Sequence, residues 1–241
     1  MAGFLQRIAE ITNDRSSGSS KLLEDIMQEL LTAKFTRKEF RLALQKLKET
    51  DPAMRIVHHF LEGLAASGDD WRAFIRAYRD KYAHLPAIIA RQLAGLLPAP
   101  KATLLTHSHS QTVIGVLSIL QRKGSCPAIV QTESTPGGEG RLQAAALAEA
   151  GLIVNLVADK QVGTALPDVD AVVLGVDQYD LAGFVNKVGS RSLVTLAATR
   201  ELPVYLLADQ RKQVNQIDQN AVGGLFEYTS FGPGTTLITG W

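Results

Sequence analysis

Beyond about residue 100, this chain of 241 residues settles into a rhythm that few folds permit. Short apolar runs at 102–106, 127–132, 152–157, 170–175 and 203–208 alternate with helical periodicity at 112–123, 141–150 and 189–200. Runs this short and this apolar read as strands. Strands that alternate with helices at this pitch predict βαβ units, a parallel sheet with helices on both faces. In such a sheet the ligand-binding residues lie just past the carboxyl ends of the strands.

The residues before this region carry helical periodicity and almost no strand signal. Leu22, Leu23, Ile26, Leu30 and Leu31 fall on one helical face. Thr36-Arg37-Lys38-Glu39 has the form of a capping box. Asp51-Pro52 reads as a helix start with aspartate as N-cap, and a further helix is predicted from Trp71 to Leu96. The prolines of Leu97-Pro98-Ala99-Pro100 close that helix. The chain is therefore predicted to be α/β, with a helical N-terminal domain over 1–98 and a parallel-sheet domain over 99–241.

Composition narrows the function classes. Lys plus Arg number 25 against 24 Asp plus Glu, so no global field favours nucleic acid or a membrane surface. No apolar run approaches the ~18–20 residues needed to span a bilayer. The single cysteine, Cys126, excludes an internal disulfide and reads as a small buried residue. The opening residues lack the basic-then-apolar order of a signal peptide. A cytoplasmic protein without direct nucleic-acid binding is expected.

Polar residues and glycines gather where the strands end. After 102–106 come Thr106, His107, Ser108, His109 and Ser110; after 127–132 comes Thr132 to Arg141. Asp159 follows the third strand. Asp177 follows the fourth, with Asn186, Lys187, Gly189 and Ser190 beyond it. A glycine-bounded loop that enters a helix exposes N–H groups suited to phosphate. Gly137 to Arg141, Gly189-Ser190 and Ser17-Gly18-Ser19-Ser20 fit, with Arg141, Lys187 and Arg15 beside them. Each such turn alone reads first as structural, and the basic neighbours favour function modestly. His107 and His109 alternate along an extended segment and face opposite ways, so no metal site is expected, and no cofactor. His58-His59 reads as a solvated or partly packed pair. Asp177, directly after an apolar run, must be partnered or lie at a cleft.

The ordered set of motifs resembles the translation initiation factor 2B alpha/beta/delta superfamily. These are Asp14-x-x-x-Gly18, Thr106-His107-Ser108-x-Ser110, Thr132-Glu133-Ser134-x-Pro136 with Gly140-Arg141-Leu142, Asp159-x-x-Val162-Gly163, Val173-Leu174-Gly175-x-Asp177 and Asn186-Lys187-x-Gly189. That superfamily includes methylthioribose-1-phosphate and ribose-1,5-bisphosphate isomerases. The resemblance implies a helical domain followed by a Rossmann-like domain, and a homodimer or larger oligomer. It implies that Asp177 matches the isomerases' proton-handling aspartate, and that Ser108 stands where their cysteine stands. It places Arg15, Gly18, Ser19, Glu133, Arg141, Asn186, Lys187 and Ser190 around phosphate or sugar. Thr135 stands where an arginine is usual, which weakens a bisphosphate site.

A serine without a base is a poor proton acceptor near neutral pH. His107 or His109 is the residue type that could supply one. The leading expectation is a homodimeric, non-catalytic or regulatory protein that binds a sugar phosphate or nucleotide monophosphate. The rival is an aldose–ketose phosphate isomerase using Asp177 as general acid/base. A scaffold with a vestigial pocket is the third.

Overall fold

The computed structural model describes residues 3–14, 17–99, 101–125, 127–219 and 222–240. The helical half comprises α1 (Phe4–Asn13), α2 (Ser19–Thr32), α3 (Arg37–Leu47), α4 (Arg55–Ala66), α5 (Trp71–Tyr82) and α6 (Leu85–Leu96). The remainder runs β1 (Thr103–Thr106), α7 (Gln111–Arg122), β2 (Ala128–Thr132), α8 (Gly140–Glu149), β3 (Ile153–Val157), the short α9 (Val162–Ala165) and β4 (Ala171–Gly175). It continues through β5 (Gln178–Tyr179), β6 (Gly183–Lys187), α10 (Ser190–Ala198), β7 (Val204–Leu207), β8 (Phe226–Ser230) and β9 (Thr235–Ile238).

Six strands form a parallel sheet in the order β3-β2-β1-β4-β7-β9. All five predicted strands are in it, and the α/β architecture after a helical region is the one expected. From β1 the chain builds outward through β2 and β3; from β4 it builds the other way. The strand order therefore reverses between β1 and β4, which is where such sheets leave a crevice. A separate antiparallel sheet, β5-β6-β8, stands beside it.

Burial explains the layers. Leu104, Val116, Leu117, Leu120, Ile129 and Leu147 form a core on one side of the large sheet; Leu105, Val172, Leu174, Leu193 and Val194 form one on the other. The helical half has its own core around Phe60, Leu22, Leu30 and Ile75. Burying each such side chain contributes about 1.5–3 kcal/mol. Helix α6 bridges the two halves: its Leu85 joins that core, while Ile89, Ala90 and Leu93 pack with β1 and α7.

Three local readings are corrected. The predicted helix from Trp71 to Leu96 is two helices that break after Tyr82. Pro86, in the first turn of α6, has no N–H to donate to the Tyr82 carbonyl four residues back, so the hydrogen-bond ladder of α5 cannot run through it. Asp51-Pro52 does not begin α4, which starts at Arg55. Asp51 instead closes a turn, with its side chain accepting from the Ala53 N–H at 2.9 Å and its carbonyl from Met54 N–H at 2.9 Å. Asn186 and Lys187 lie in strand β6, not in a loop. The capping box at Thr36 and Glu39 is present as read.

Candidate ligand cavity

At the carboxyl end of β1 the chain turns sharply. Ser108 has φ +68° and Ser134, past β2, has φ +64°, a region that side chains rarely adopt. Hydrogen bonds hold both. The Ser108 N–H donates to Ser134 Oγ at 2.7 Å, and the Ser134 N–H donates to Asp159 Oδ1 at 2.9 Å. Asp159 also accepts from the Thr135 N–H at 2.7 Å. Burial opposes its ionisation, but these donors together hold its carboxyl below the ordinary range. Asp159 thus fastens the loops after β2 and β3 together.

Beneath this knot lies His107, 3 % exposed. Its Nε2 stands 2.9 Å from the Val188 carbonyl, which can only accept, so Nε2 carries the proton. Its Nδ1 then accepts from Thr132 Oγ1 at 2.6 Å. The imidazole is neutral with both nitrogens engaged, and burial pushes its pKa down. Gly189, at φ +107°, leaves room for this ring; a Cβ there would stand 2.9 Å from His107 Cε1. His107 is a structural fastener and does not reach the serine as a base. Because the folded pKa lies below the unfolded one, the unfolded chain takes the proton first. The stability this gives is intact above about pH 6.5 and is lost as pH falls through the folded pKa. His59, whose pKa burial also lowers, adds in the same direction. Thermal melts should therefore show wild type losing more stability between pH 7 and 5 than His107→Gln. Equal losses would remove His107 from the account.

A cavity of about 310 Å³ opens between the N-terminus of α2 and the ends of β1 and β4. The helical half closes it. Gly18, the N-cap of α2, approaches the His109 carbonyl so closely that any Cβ there would overlap it. Gly18 offers no side-chain cap; the Asp177 carboxylate takes a backbone hydrogen bond from Ser19 at the start of α2 in its place. Ser19 Oγ donates to Asp177 Oδ1 at 2.6 Å. Burial raises the Asp177 pKa, with Lys212 and the Ser19 hydrogen bond opposing. Lys212, 2 % exposed, donates from Nζ to the Val176 carbonyl at 2.6 Å, and burial lowers its pKa. Across the cavity Lys187 Nζ meets Glu139 Oε1 at 2.7 Å, and Ser108 Oγ donates to the same oxygen at 3.2 Å.

Of the residues singled out in the sequence, Gly18, Ser19, Ser108, Asp177, Asn186 and Lys187 line this cavity. Glu133, Arg141, His107 and Ser190 do not. Arg141 is turned to solvent and pairs with Glu133 at 2.5 Å. Ser190 is fully buried, accepting from Asn186 Nδ2 at 2.9 Å and donating to the Lys187 carbonyl at 2.7 Å. It positions those two residues. Arg15 and Cys126 lie outside the described residues. Lys212 and Glu139 were missed. Lys212 follows the fifth strand, β7, so the strand-end rule reached it; Glu139 lay inside the glycine-rich loop, where glycine drew the reading. Among the described residues no three His, Cys, Asp or Glu side chains group to hold a metal, and no helix is long and apolar enough to cross a membrane.

Known proteins resemble this chain in sequence and in fold. The chain is 29% identical over 150 residues to translation initiation factor eIF2B subunit alpha of Caenorhabditis elegans, covering 62% of this chain and 48% of that protein. It is 31% identical over 111 residues to ribose 1,5-bisphosphate isomerase of Archaeoglobus fulgidus, covering 46% of this chain and 36% of that one. The matched segments thus span less than half of either relative. In fold it is similar to translation initiation factor eIF-2B of Pyrococcus horikoshii OT3, with TM-score 0.79 and 18% identity over 94% of this chain and 90% of that chain. The profile of the Initiation factor 2 subunit family matches residues 1–223, and the chain belongs to that family.

Proposed function

We propose that this protein binds a phosphorylated small molecule, a sugar phosphate or nucleotide monophosphate, in the cavity between α2 and the strand ends, as a non-catalytic or regulatory member of its family. Residues 1–98 and 99–241 would be the two units that close on it, in a cytoplasmic homodimer. One observation carries the reading. The start of α2, where Ser19 meets Asp177, and the buried ammonium of Lys212 line one cavity with Asn186. The helix start and the ammonium suit phosphate; the amide and carboxylate suit hydroxyls. The non-catalytic part rests on Ser108, which stands where the resemblance puts the isomerases' thiol, and on His107, whose two nitrogens are engaged by Thr132 and Val188.

Ribose 5-phosphate or adenosine monophosphate at a hundred times its Kd should stabilise the fold by about 2.7 kcal/mol. In a chain of this size that raises Tm by roughly 5–10 °C. Lys212→Met should lose the shift. No shift with any phosphorylated probe would overturn the reading and leave a scaffold with a vestigial pocket.

An isomerase reading has one observation of its own. Asp177 is desolvated with a raised pKa and bears on the cavity, as a general acid/base would. Turnover of pentose phosphates that Asp177→Asn abolishes would establish it in place of the binding reading. Silence across such a panel, with Tm still raised by phosphates, would exclude it.

A further inference from the structure

The cavity holds a second cation that is already occupied. Lys187 and Glu139 are 4 % and 5 % exposed and stand 2.7 Å apart. Both line the cavity. The pair is incompletely satisfied: the Lys187 ammonium makes no directed hydrogen bond, and Glu139 Oε2 has no partner. Buried polar groups are seldom left so, and those that are call for an explanation. The surroundings are shaped for the pair. A Cβ on Gly137 would overlap Glu139 Oε2 and stand 3.1 Å from Lys187 Nζ. Gly137 therefore makes room for two charges that face into the cavity.

The charge balance bears on the ligand. Among the described residues the cavity is lined by three carboxylates, Asp51, Glu139 and Asp177, and by two ammonium groups, Lys187 and Lys212. One corner, made by Lys212 and the start of α2, can receive a phosphoryl group. At the other corner Glu139 already neutralises Lys187. An anion reaching Lys187 must displace a buried carboxylate and leave that carboxylate unpaired, which is costly in a desolvated site.

We propose that Glu139 is a specificity-determining residue: a resident counter-ion on Lys187 that restricts the cavity to ligands carrying a single phosphoryl group. This rests on the phosphate-binding reading above and narrows its ligand class. Rejection comes from repulsion built into the site and not from lack of room.

Glu139→Gln tests it. The amide keeps the size and can still accept from Ser108 Oγ, but it frees Lys187 for a second phosphoryl group. Ribose 5-phosphate and ribose 1,5-bisphosphate are titrated against both proteins by calorimetry. Wild type should bind the monophosphate at least as tightly as the bisphosphate. Glu139→Gln should move that ratio toward the bisphosphate by about tenfold or more, the worth of one charge-assisted contact. The double variant Glu139→Gln, Lys187→Met removes both charges and should return the wild-type preference. Wild type preferring the bisphosphate by about tenfold overturns the proposal, and does so without any variant needing to fold. So does an unchanged ratio in Glu139→Gln. In both of those cases phosphate binding itself survives. Binding of neither probe by either protein overturns this proposal together with the phosphate reading.

Discussion

Replacing Gly140 with alanine is expected to cost this protein at least about 4 kcal/mol, a large part of the ~5–15 kcal/mol that holds a domain folded. A Cβ at that position would overlap the Thr132 carbonyl and stand 2.9 Å from the Glu133 carbonyl and from Ser134 Oγ. None of these can yield cheaply. Thr132 ends β2 and is paired with β3, while Ser134 holds Ser108. Helix α8 would have to lift from the sheet, taking Gln143 with it. Gln143 is fully buried and joins Ser110, Thr106 and Gln131 at 2.7–3.0 Å. Helix propensity argues the other way, since alanine is better than glycine by about 1 kcal/mol inside a helix. The clash outweighs it. Gly95→Ala in α6 is the control: no atom lies within 4 Å of a Cβ there, and that variant should be neutral or slightly stabilised. Urea melts of the two would decide. A Gly140→Ala midpoint close to wild type would show that the α8 start can move.

How far the sequence announced this molecule differs between its parts. The central strands of the large sheet are apolar runs buried on both faces, so their hydropathy alone marked them: β4 and β7 are buried at every position, whereas the edge strand β9, Thr235–Ile238, is only partly buried and carries no such run. The small sheet was silent. Strand β5 is only Gln178–Tyr179, and β6 pairs with β8 some forty residues along, as in Lys187 with Phe226. Residues such as Asn186 and Lys187 have no strand pattern until that partner arrives. The site divides similarly. The strand-end rule located Ser108 and Asp177 because topology decides where those loops meet. Arg141 and Glu133 stand outside the cavity, since a helix start has two sides and charge does not say which faces inward. Here they satisfy each other at the surface. Ser190 shows the converse: a residue of phosphate-binding type whose hydroxyl is fully used between Asn186 and the chain itself.

Gly18→Ala should leave a folded protein that no longer responds to ligand. The cavity is composite: its floor belongs to the sheet and one wall to the start of α2, so its shape depends on how closely two backbones approach. Gly18 sits at φ −69°, ψ 158°, where alanine is fully permitted, so the substitution strains no dihedral. What it adds is a methyl group overlapping the His109 carbonyl, within ordinary contact of Ser110 Cα at 3.8 Å. The wall must move away by an ångström or more. Ser19 then leaves Asp177, and the N–H groups of α2 leave the position a phosphoryl group would take. Displacements of this size in a pre-organised polar site cost about a hundredfold in affinity, which at the same ligand concentration removes nearly all of the stabilisation. Gly3 provides a matched comparison: it too is an N-cap, of α1, at φ −68°, ψ 158°, and a Cβ there meets nothing within 4 Å. Both alanine variants lose the same small capping preference for glycine. If the wall matters, ribose 5-phosphate will raise the Tm of Gly3→Ala as it does wild type, and will leave Gly18→Ala unmoved. Equal shifts in the two would show that the ligand is held by the sheet alone, and that the helical half only covers it.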